Sequence, residues 1–563
     1  MPRGAGSGSS SPQGALRLDK ARQLNSSLSL SRLTGLRGRA LVRAAVAGMV
    51  FLATLGIVAI HEHAPYDIQA GLMAQVLAGT VPLIAAAVAG YAVLRPWPAY
   101  LVVLLLTPYW DLAQVSWWVG SLQVIGQTLF LVALGLGCLL DDRVNPASIA
   151  AWVRGLRHGG GVTATVRVAG LALAALLLLA CLSTARSPDV TESGTVLLHG
   201  ILEPVAMGIV LLALGPNLRK LALVAVVLGI SVGLGGLLNM IQTLPDIRSL
   251  PGLQTDRLLF ARLTYFNVGL FGEMLALAMP LLLTALLARR RFGLGRFGVA
   301  IVVVAIGACL VGLFLTFSKS AWLATAAGSA VLVLLVVRGW RRRAAIVLVG
   351  GLLSTAVIPW PAFVLQVAPP LNDAYRSVMV RLIGESRFDS WNPSTLSGRG
   401  SLLERFYATR AAVEMAIDHP LLGIGLDQFK TQYVAGRYKP PEAHLDLDSA
   451  HTFWPEIAAE LGVPALVLVV IIFAAALLAL WRLYRAPPDE LTRLLAAMLL
   501  AALAAWLVVA TTFDIDLYRD WRNMSSDVVM LAVVTAAAFA LDRHARAARD
   551  GVAAVPHTAI IRR

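Results

Sequence analysis

The residues of this chain best suited to chemistry are cations, a few histidines and isolated carboxylates, set in a strongly apolar background. Arg262, Lys319, Arg399 and Arg405 all stand in or beside segments that border apolar runs. A guanidinium offers a planar fork of donors to phosphate or carboxylate, and an ammonium offers a point charge. Arg399 also opens a predicted amphipathic helix, where backbone N–H groups would face the same anion. His451 lies just before a segment that enters an apolar run, and histidine takes or gives a proton near neutrality. These types suit holding an anion and moving a proton. Each has a plainer competing role: Arg262 as a span-end anchor, Arg399 as a solvated loop charge, Lys319 as a snorkelling lysine closing a helical hairpin, His451 as a structural interfacial residue.

The remaining ionisable residues point less to a site. Glu456 with Glu460, and His199 with Glu203, are four apart and share a helix face. Ionisable groups at membrane depth are costly and are site candidates by default, yet pairing within a bundle is the expected role for Glu203 and Glu273. Asp446-Leu-Asp448 and Asp514-Ile-Asp516 fit a bare Asp-x-Asp pattern that recurs by chance, so no metal site and no cofactor are expected. His419 reads as a turn residue beside Pro420, Gly423 and Gly425, and His444 falls in an acidic stretch. Tyr375, Trp391, Tyr407, Tyr433, Tyr438 and Trp454 are of a type that stacks on sugar faces, and equally of the type expected at membrane interfaces. The three cysteines fall inside apolar runs and suit packing better than disulfide or zinc chemistry.

The elements that must position these residues follow from composition. Of 563 residues, 58% are hydrophobic and 14% charged, and mean hydropathy is +0.74, which excludes a soluble globular domain of this size. The expected fold is all-α, a polytopic transmembrane bundle. About fourteen apolar runs, with a range of 12 to 14 spans, lie near 41–60, 72–94, 99–115, 120–140, 168–184, 195–214, 221–241, 266–288, 297–317, 321–337, 344–366, 461–481, 494–511 and 524–541. The third is the weakest, interrupted by Pro108, Trp110 and Asp111. With the N-terminus inside, the inner segments hold 31 of the 47 Lys and Arg, so both termini are expected in the cytoplasm. The net charge of +15 is then mostly a topology signal, and nucleic acid is not an expected partner.

This gives a basic tail over 1–37, spans one to eleven within 38–366, an extracytoplasmic insertion over 367–454, spans twelve to fourteen within 455–541, and a cytoplasmic tail over 542–563. Long polar insertions between spans commonly carry function. Within this one, Leu402, Leu403, Phe406, Val413 and Ile417 predict an amphipathic helix over 401–418 able to lie on the spans, ended by His419-Pro420.

The order of motifs in and before the insertion resembles the O-antigen ligase and polymerase superfamily of bacterial membrane glycosyltransferases. The carriers are Ser397-Gly-Arg-Gly400 followed by a helix, His419-Pro-Leu-Leu-Gly-Ile-Gly425, His451, and Glu460-Leu-Gly-Val-Pro464 entering a span. Upstream, Arg262-Leu-Thr-Tyr-Phe-Asn267 and Leu315-Thr-Phe-Ser-Lys-Ser-Ala-Trp322 agree. The likeness covers roughly 260–480. Lys319 stands where Arg is usual, Thr follows His451 where Asn is common, and Pro464 replaces a usual Gly.

The resemblance implies metal-independent, inverting transfer of a glycan from a polyprenyl (undecaprenyl) pyrophosphate, outside the bacterial cytoplasmic membrane, to an acceptor hydroxyl on lipid A core or another surface glycan. It implies Arg262 and Arg399, with Lys319 and Arg405, as pyrophosphate ligands and His451 as the base. A repeat-unit polymerase or a protein O-oligosaccharyltransferase would share the donor site and differ in acceptor. A lipid-linked glycan flippase is the alternative of another class; transporters commonly show internal repeats, and no convincing repeat is visible here.

Overall fold

The computed structural model describes residues 41–54, 86–107, 116–119, 122–140, 164–248, 268–316, 318–337, 339, 341–344, 346, 396–511 and 526–549. The described residues form a helical bundle. In chain order its elements are α1 (Leu41–Thr54), α2 (86–94), α3 (Pro96–Leu106), a hairpin of β1 (Ser116–Val119) and β2 (Leu122–Ile125), α4 (Gly126–Leu140), α5 (Ala164–Arg186), α6 (Val190–Ala213), α7 (Leu218–Arg248), α8 (Val268–Leu287), α9 (Arg296–Thr316) and α10 (Lys319–Val336). Then follow α11 (Leu396–Asp418), α12 (Phe429–Val434), α13 (Phe453–Leu461), α14 (Val463–Arg485), α15 (Glu490–Thr511) and α16 (Ser526–Arg549).

Seven described helices are long and apolar enough to cross a membrane: α5, α6, α9, α14, α15 and the apolar parts of α7 and α16. Five further helices have shorter apolar stretches with described side chains: Leu41–Thr54 of α1, Pro96–Leu106 of α3, Thr128–Leu140 of α4, Phe271–Leu287 of α8 and Ser320–Val336 of α10. Thirteen of the fourteen predicted runs coincide with helix over at least part of their length, and 344–366 lies almost wholly outside the described residues. Two runs differ in detail from the expected helices. The described part of the third is an 11-residue helix, Pro96–Leu106, and 108–115 lies outside the described residues. The fourth begins as a short antiparallel strand pair, Ser116 opposite Ile125 and Val119 opposite Leu122, before α4 starts at Gly126, and beside this hairpin the regular elements of the described residues are helical, in line with the all-α expectation.

Helix α8 is the centre of the bundle. It packs against α7, α9, α10, α15 and α16, and Phe271–Leu282 is buried on all sides, as expected of a helix without a polar face. Pro280 interrupts it, and the Thr284 hydroxyl donates to the Pro280 carbonyl at 2.8 Å, keeping that acceptor paired. Local signals set the helix starts. Asp189 accepts the Glu192 N–H at the start of α6, Ser318 the Ala321 N–H at α10, and Asp489 the Thr492 N–H at α15. Within α6, residues Leu197–Leu202 form a π turn, where buried His199 and Glu203 approach to 3.1 Å and Thr128 donates to Glu203.

The described part of the insertion, 396–461, builds a small second core from Ala408, Ala411, Ala412, Met415, Ile424, Phe429, Tyr433, Tyr438, Ala450 and Ala459. Helix α11 starts at Leu396, five residues before the expected position, and presents its small-residue face to α13. The large apolar residues expected to lie on the spans, Leu403, Phe406, Val413 and Ile417, are exposed instead. Alanine permits the close helix approach that the larger side chains would prevent.

This unit is fastened to the bundle through backbone. The turn after α11 donates from Ile424 N to Ala459 O (2.8 Å) and from Gly425 N to Glu460 O (3.2 Å), while Val463 N donates back to Pro420 O (2.8 Å). The α5–α6 corner closes the third side, with Ser183 Oγ donating to Glu460 O (2.8 Å) and Ser193 Oγ to Leu426 O (2.6 Å). Gly423 and Gly462 have positive φ, +66° and +88°, and a Cβ on Gly423 would stand 2.2 Å from the Glu460 carbonyl carbon. Pro464, unusual in the motif, falls in the first turn of α14, where proline is well suited.

Gly423→Ala should therefore destabilise the 396–461 unit by roughly 3 kcal/mol or more, combining left-handed strain with a backbone clash. Gly436, at φ +78° with nothing within 4 Å of where a methyl group would stand, supplies the control: Gly436→Ala carries the strain alone and should cost about 1 kcal/mol. Thermal melting of purified protein with limited proteolysis of the unit compares the two; equal effects would refute the tight backbone junction.

Candidate active site

The junction places His451 under constraint. It is 8% exposed and adopts φ +55°, a left-handed conformation uncommon outside glycine though more frequent for His than for most residues. Its N–H donates to Ser449 Oγ at 3.2 Å. On either side of it, Thr409 Oγ1 of α11 donates to Ala450 O (3.1 Å) and lies 3.1 Å from Thr452 Oγ1. After it, Phe453 and Trp454 enter an aromatic cluster with Phe473 of α14 and Trp506 of α15, with ring centroids 4.7–6.3 Å apart. His451 thus sits where the insertion's helix and the bundle both grip the chain. A left-handed residue costs on the order of 1 kcal/mol, and these flanking bonds hold it there.

The arginine-bearing helix meets this junction directly. Arg405, half-buried, stands one turn before Thr409 on the same flank of α11, so the helix that bonds around His451 also carries this cation. Its neighbour Glu404 is buried and accepts the N–H groups of His444 and Leu445 at 2.8 and 3.1 Å, which pins the 443–448 loop to α11. Arg399 belongs to the first turn of α11 and Lys319 is the first residue of α10 behind its Ser318 cap; the side chains of both lie outside the described residues. Arg262 also lies outside them. Among the described side chains, Thr409 is brought to the backbone flanking His451, and Arg405 stands one turn before Thr409 on α11.

Other candidates resolve into structural roles. His419 continues the helical bonding, donating from N to Met415 O and accepting from Gly423 N. Tyr433 and Tyr438 are core residues of the insertion, and Trp454 packs on the bundle, so these three are not free sugar platforms. Tyr407 is half-buried, while Tyr375 and Trp391 lie outside the described residues. Asp446 pairs with Lys439 (2.6 Å) and Asp448 with Lys430 (3.0 Å), so the two carboxylates of that Asp-x-Asp are held by different lysines.

Spacing along the chain does not single out Asp427, yet the fold gives it a charged setting. Asp427, at φ +57°, and Glu460 face one another at the junction. Burial, with Glu192 and Asp448 nearby and only Lys430 opposing them, pushes the Asp427 carboxyl up to about 7. Burial and the Asp427 charge raise Glu460 as well, although its Oε1 accepts the Phe429 N–H at 3.1 Å. The one sequence signal for this corner is the Asp189-to-Glu192 capping pattern, which brings Glu192 to it.

Carboxyls whose folded pKa exceeds the ordinary value of about 4 bind more protons folded than unfolded, so stability falls as pH rises from about 4 through 7. The junction should accordingly be tightest in mild acid and loosen towards pH 8, read as proteolytic cleavage or hydrogen exchange in 420–430. Glu460→Gln should flatten that dependence; an unchanged slope would show that these carboxyls do not govern it.

Comparison with known proteins bears on the same stretch. No curated protein sequence matches the chain. Residues 302–470 match the family model described as O-antigen ligase, a span that runs from α9 to the first third of α14 and includes Lys319, Arg399, Arg405, Thr409 and His451 but not Arg262. Residues 302–470 are thus similar to the O-antigen ligase family, within a chain that has seven described helices long and apolar enough to cross a membrane.

Proposed function

We propose that this protein is a membrane glycosyltransferase of the O-antigen ligase type, moving a glycan from a polyprenyl-pyrophosphate carrier to an acceptor hydroxyl of lipid A core or another surface glycan. The observation that carries the reading is a buried His451, held in a left-handed junction by the helix that bears Arg399 and Arg405, within the matched domain. The insertion faces the outside of the cytoplasmic membrane, as the distribution of Lys and Arg supports.

In this mechanism the His451 imidazole takes the acceptor proton. The hydroxyl oxygen attacks the anomeric carbon opposite the leaving group, the carbon–oxygen bond to pyrophosphate breaks, and the configuration inverts. Pyrophosphate leaves as a stable anion, so the chain must supply positive charge more than an acid. Arg262, Arg399, Lys319 and Arg405 are assigned that task, through charge-assisted hydrogen bonds to the phosphate oxygens. No metal is required by this division of labour. It differs from glycosidase chemistry, which depends on two carboxylates at a defined separation.

His451→Ala should lower transfer by at least about a hundredfold while the protein remains folded in the membrane. Arg399→Gln and Arg405→Gln should each reduce kcat/KM for the donor about ten- to a hundredfold, the worth of one charge-assisted hydrogen bond. Steady-state assays in detergent or nanodiscs, with a synthetic polyprenyl-pyrophosphate oligosaccharide, measure both. Full activity in His451→Ala would remove it as the base.

A further inference from the structure

At the end of the bundle opposite the insertion junction, α8, α10 and α15 part. They cross closely at Gly328, where a Cβ would stand 2.8 Å from Ala505 and 3.1 Å from Pro280. Towards Leu287 they splay, leaving a cavity of about 370 Å³ between their ends. Leu287, Ala288, Val336 and Leu494 line it with the single hydroxyl of Thr284, which is bonded to the Pro280 carbonyl, and Arg289, Arg290 and Arg291 line it as well.

These arginines occupy a tight turn after α8, closed by Leu294 N donating to Arg289 O (2.9 Å) and by Gly293 at φ +69°. All three are exposed, and among the described residues no carboxylate is ion-paired with any of them. The one acidic residue on the rim, Glu490, is ion-paired with Arg493 of its own helix, so the pocket keeps a strong positive charge. A run of arginines at a span end is explained by topology alone; an inter-helical cavity lined by four apolar side chains beside them is not. Its volume lies within the range of small-molecule sites, and a basic rim beside apolar side chains between spans matches the chemistry of a phosphodiester headgroup with its first acyl carbons.

We infer that the cavity rimmed by Arg289, Arg290 and Arg291 is a binding site for an anionic phospholipid of the inner leaflet, separate from the glycan-transfer site. The ligand class is a glycerophospholipid with a net negative headgroup. The inference does not depend on the transferase reading, since it concerns the other end of the bundle.

The test is native mass spectrometry of the full chain, delipidated and titrated with phosphatidylglycerol against phosphatidylcholine. Wild type should retain phosphatidylglycerol selectively. The variant R289Q/R290Q/R291Q should weaken that retention by about a hundredfold at low salt, given about fivefold for each arginine. Val336→Phe, which fills the cavity and leaves every charge in place, should also weaken it. The charge-matched variant R219Q/R296Q/R485Q, altering exposed arginines off the rim, should leave it unchanged. Equal losses in the two triple variants, or full retention in Val336→Phe, would overturn the site. Competition by inorganic phosphate as effective as by phosphatidylglycerol would also overturn the lipid assignment and leave a free-phosphate site.

Discussion

The described structure hangs on a short backbone contact, in which the 420–425 turn and the α13–α14 junction exchange three hydrogen bonds at a separation too small for side chains. The constraint explains why the chain needs glycine at Gly423 and Gly462, and why the α5–α6 corner offers serines there instead of larger residues. Everything in the insertion depends on it. Without it α11 would have no fixed relation to α14, and His451 would lose the opposed anchors of Thr409 on one side and the Phe453–Trp454–Trp506 cluster on the other.

This arrangement divides the motifs into two kinds. The His-Pro-Leu-Leu-Gly-Ile-Gly and Glu-Leu-Gly segments serve the junction: their glycines make room, their carbonyls and N–H groups pair, and the Glu460 carboxyl holds the start of α12. His451 is what the junction positions. Such a division is expected where a reactive group must be held by a rigid frame at the edge of a bilayer, because lipid cannot satisfy exposed backbone and the chain must satisfy its own.

Much of this was legible in the sequence, for identifiable reasons. Runs of about twenty apolar residues report spans directly, and thirteen of the predicted runs coincide with helix. The pairing of His199 with Glu203 follows from four-residue spacing. Less was legible where local pattern and tertiary packing disagree. The apolar stripe of Leu403, Phe406, Val413 and Ile417 suggested the buried face of α11, but burial went to Ala408, Ala411, Ala412 and Met415, because the neighbour to be packed was another helix at close range. Tyr433 and Tyr438 looked like ligand platforms and are core. Asp427 and its acidic neighbours could not be found from spacing, since Glu192, Asp427 and Glu460 converge from three distant segments.

The measurement that tests the central claim most directly is the fate of a labelled polyprenyl-pyrophosphate oligosaccharide in proteoliposomes containing the wild-type protein and candidate acceptors: lipid A core, a second donor molecule and a peptide. The account predicts consumption of the donor, release of free polyprenyl pyrophosphate, and one glycosylated acceptor whose new linkage has the inverted anomeric configuration. Appearance of intact donor in the opposite leaflet, with no acceptor glycosylated, would contradict it and mark the protein as a carrier of the lipid-linked glycan.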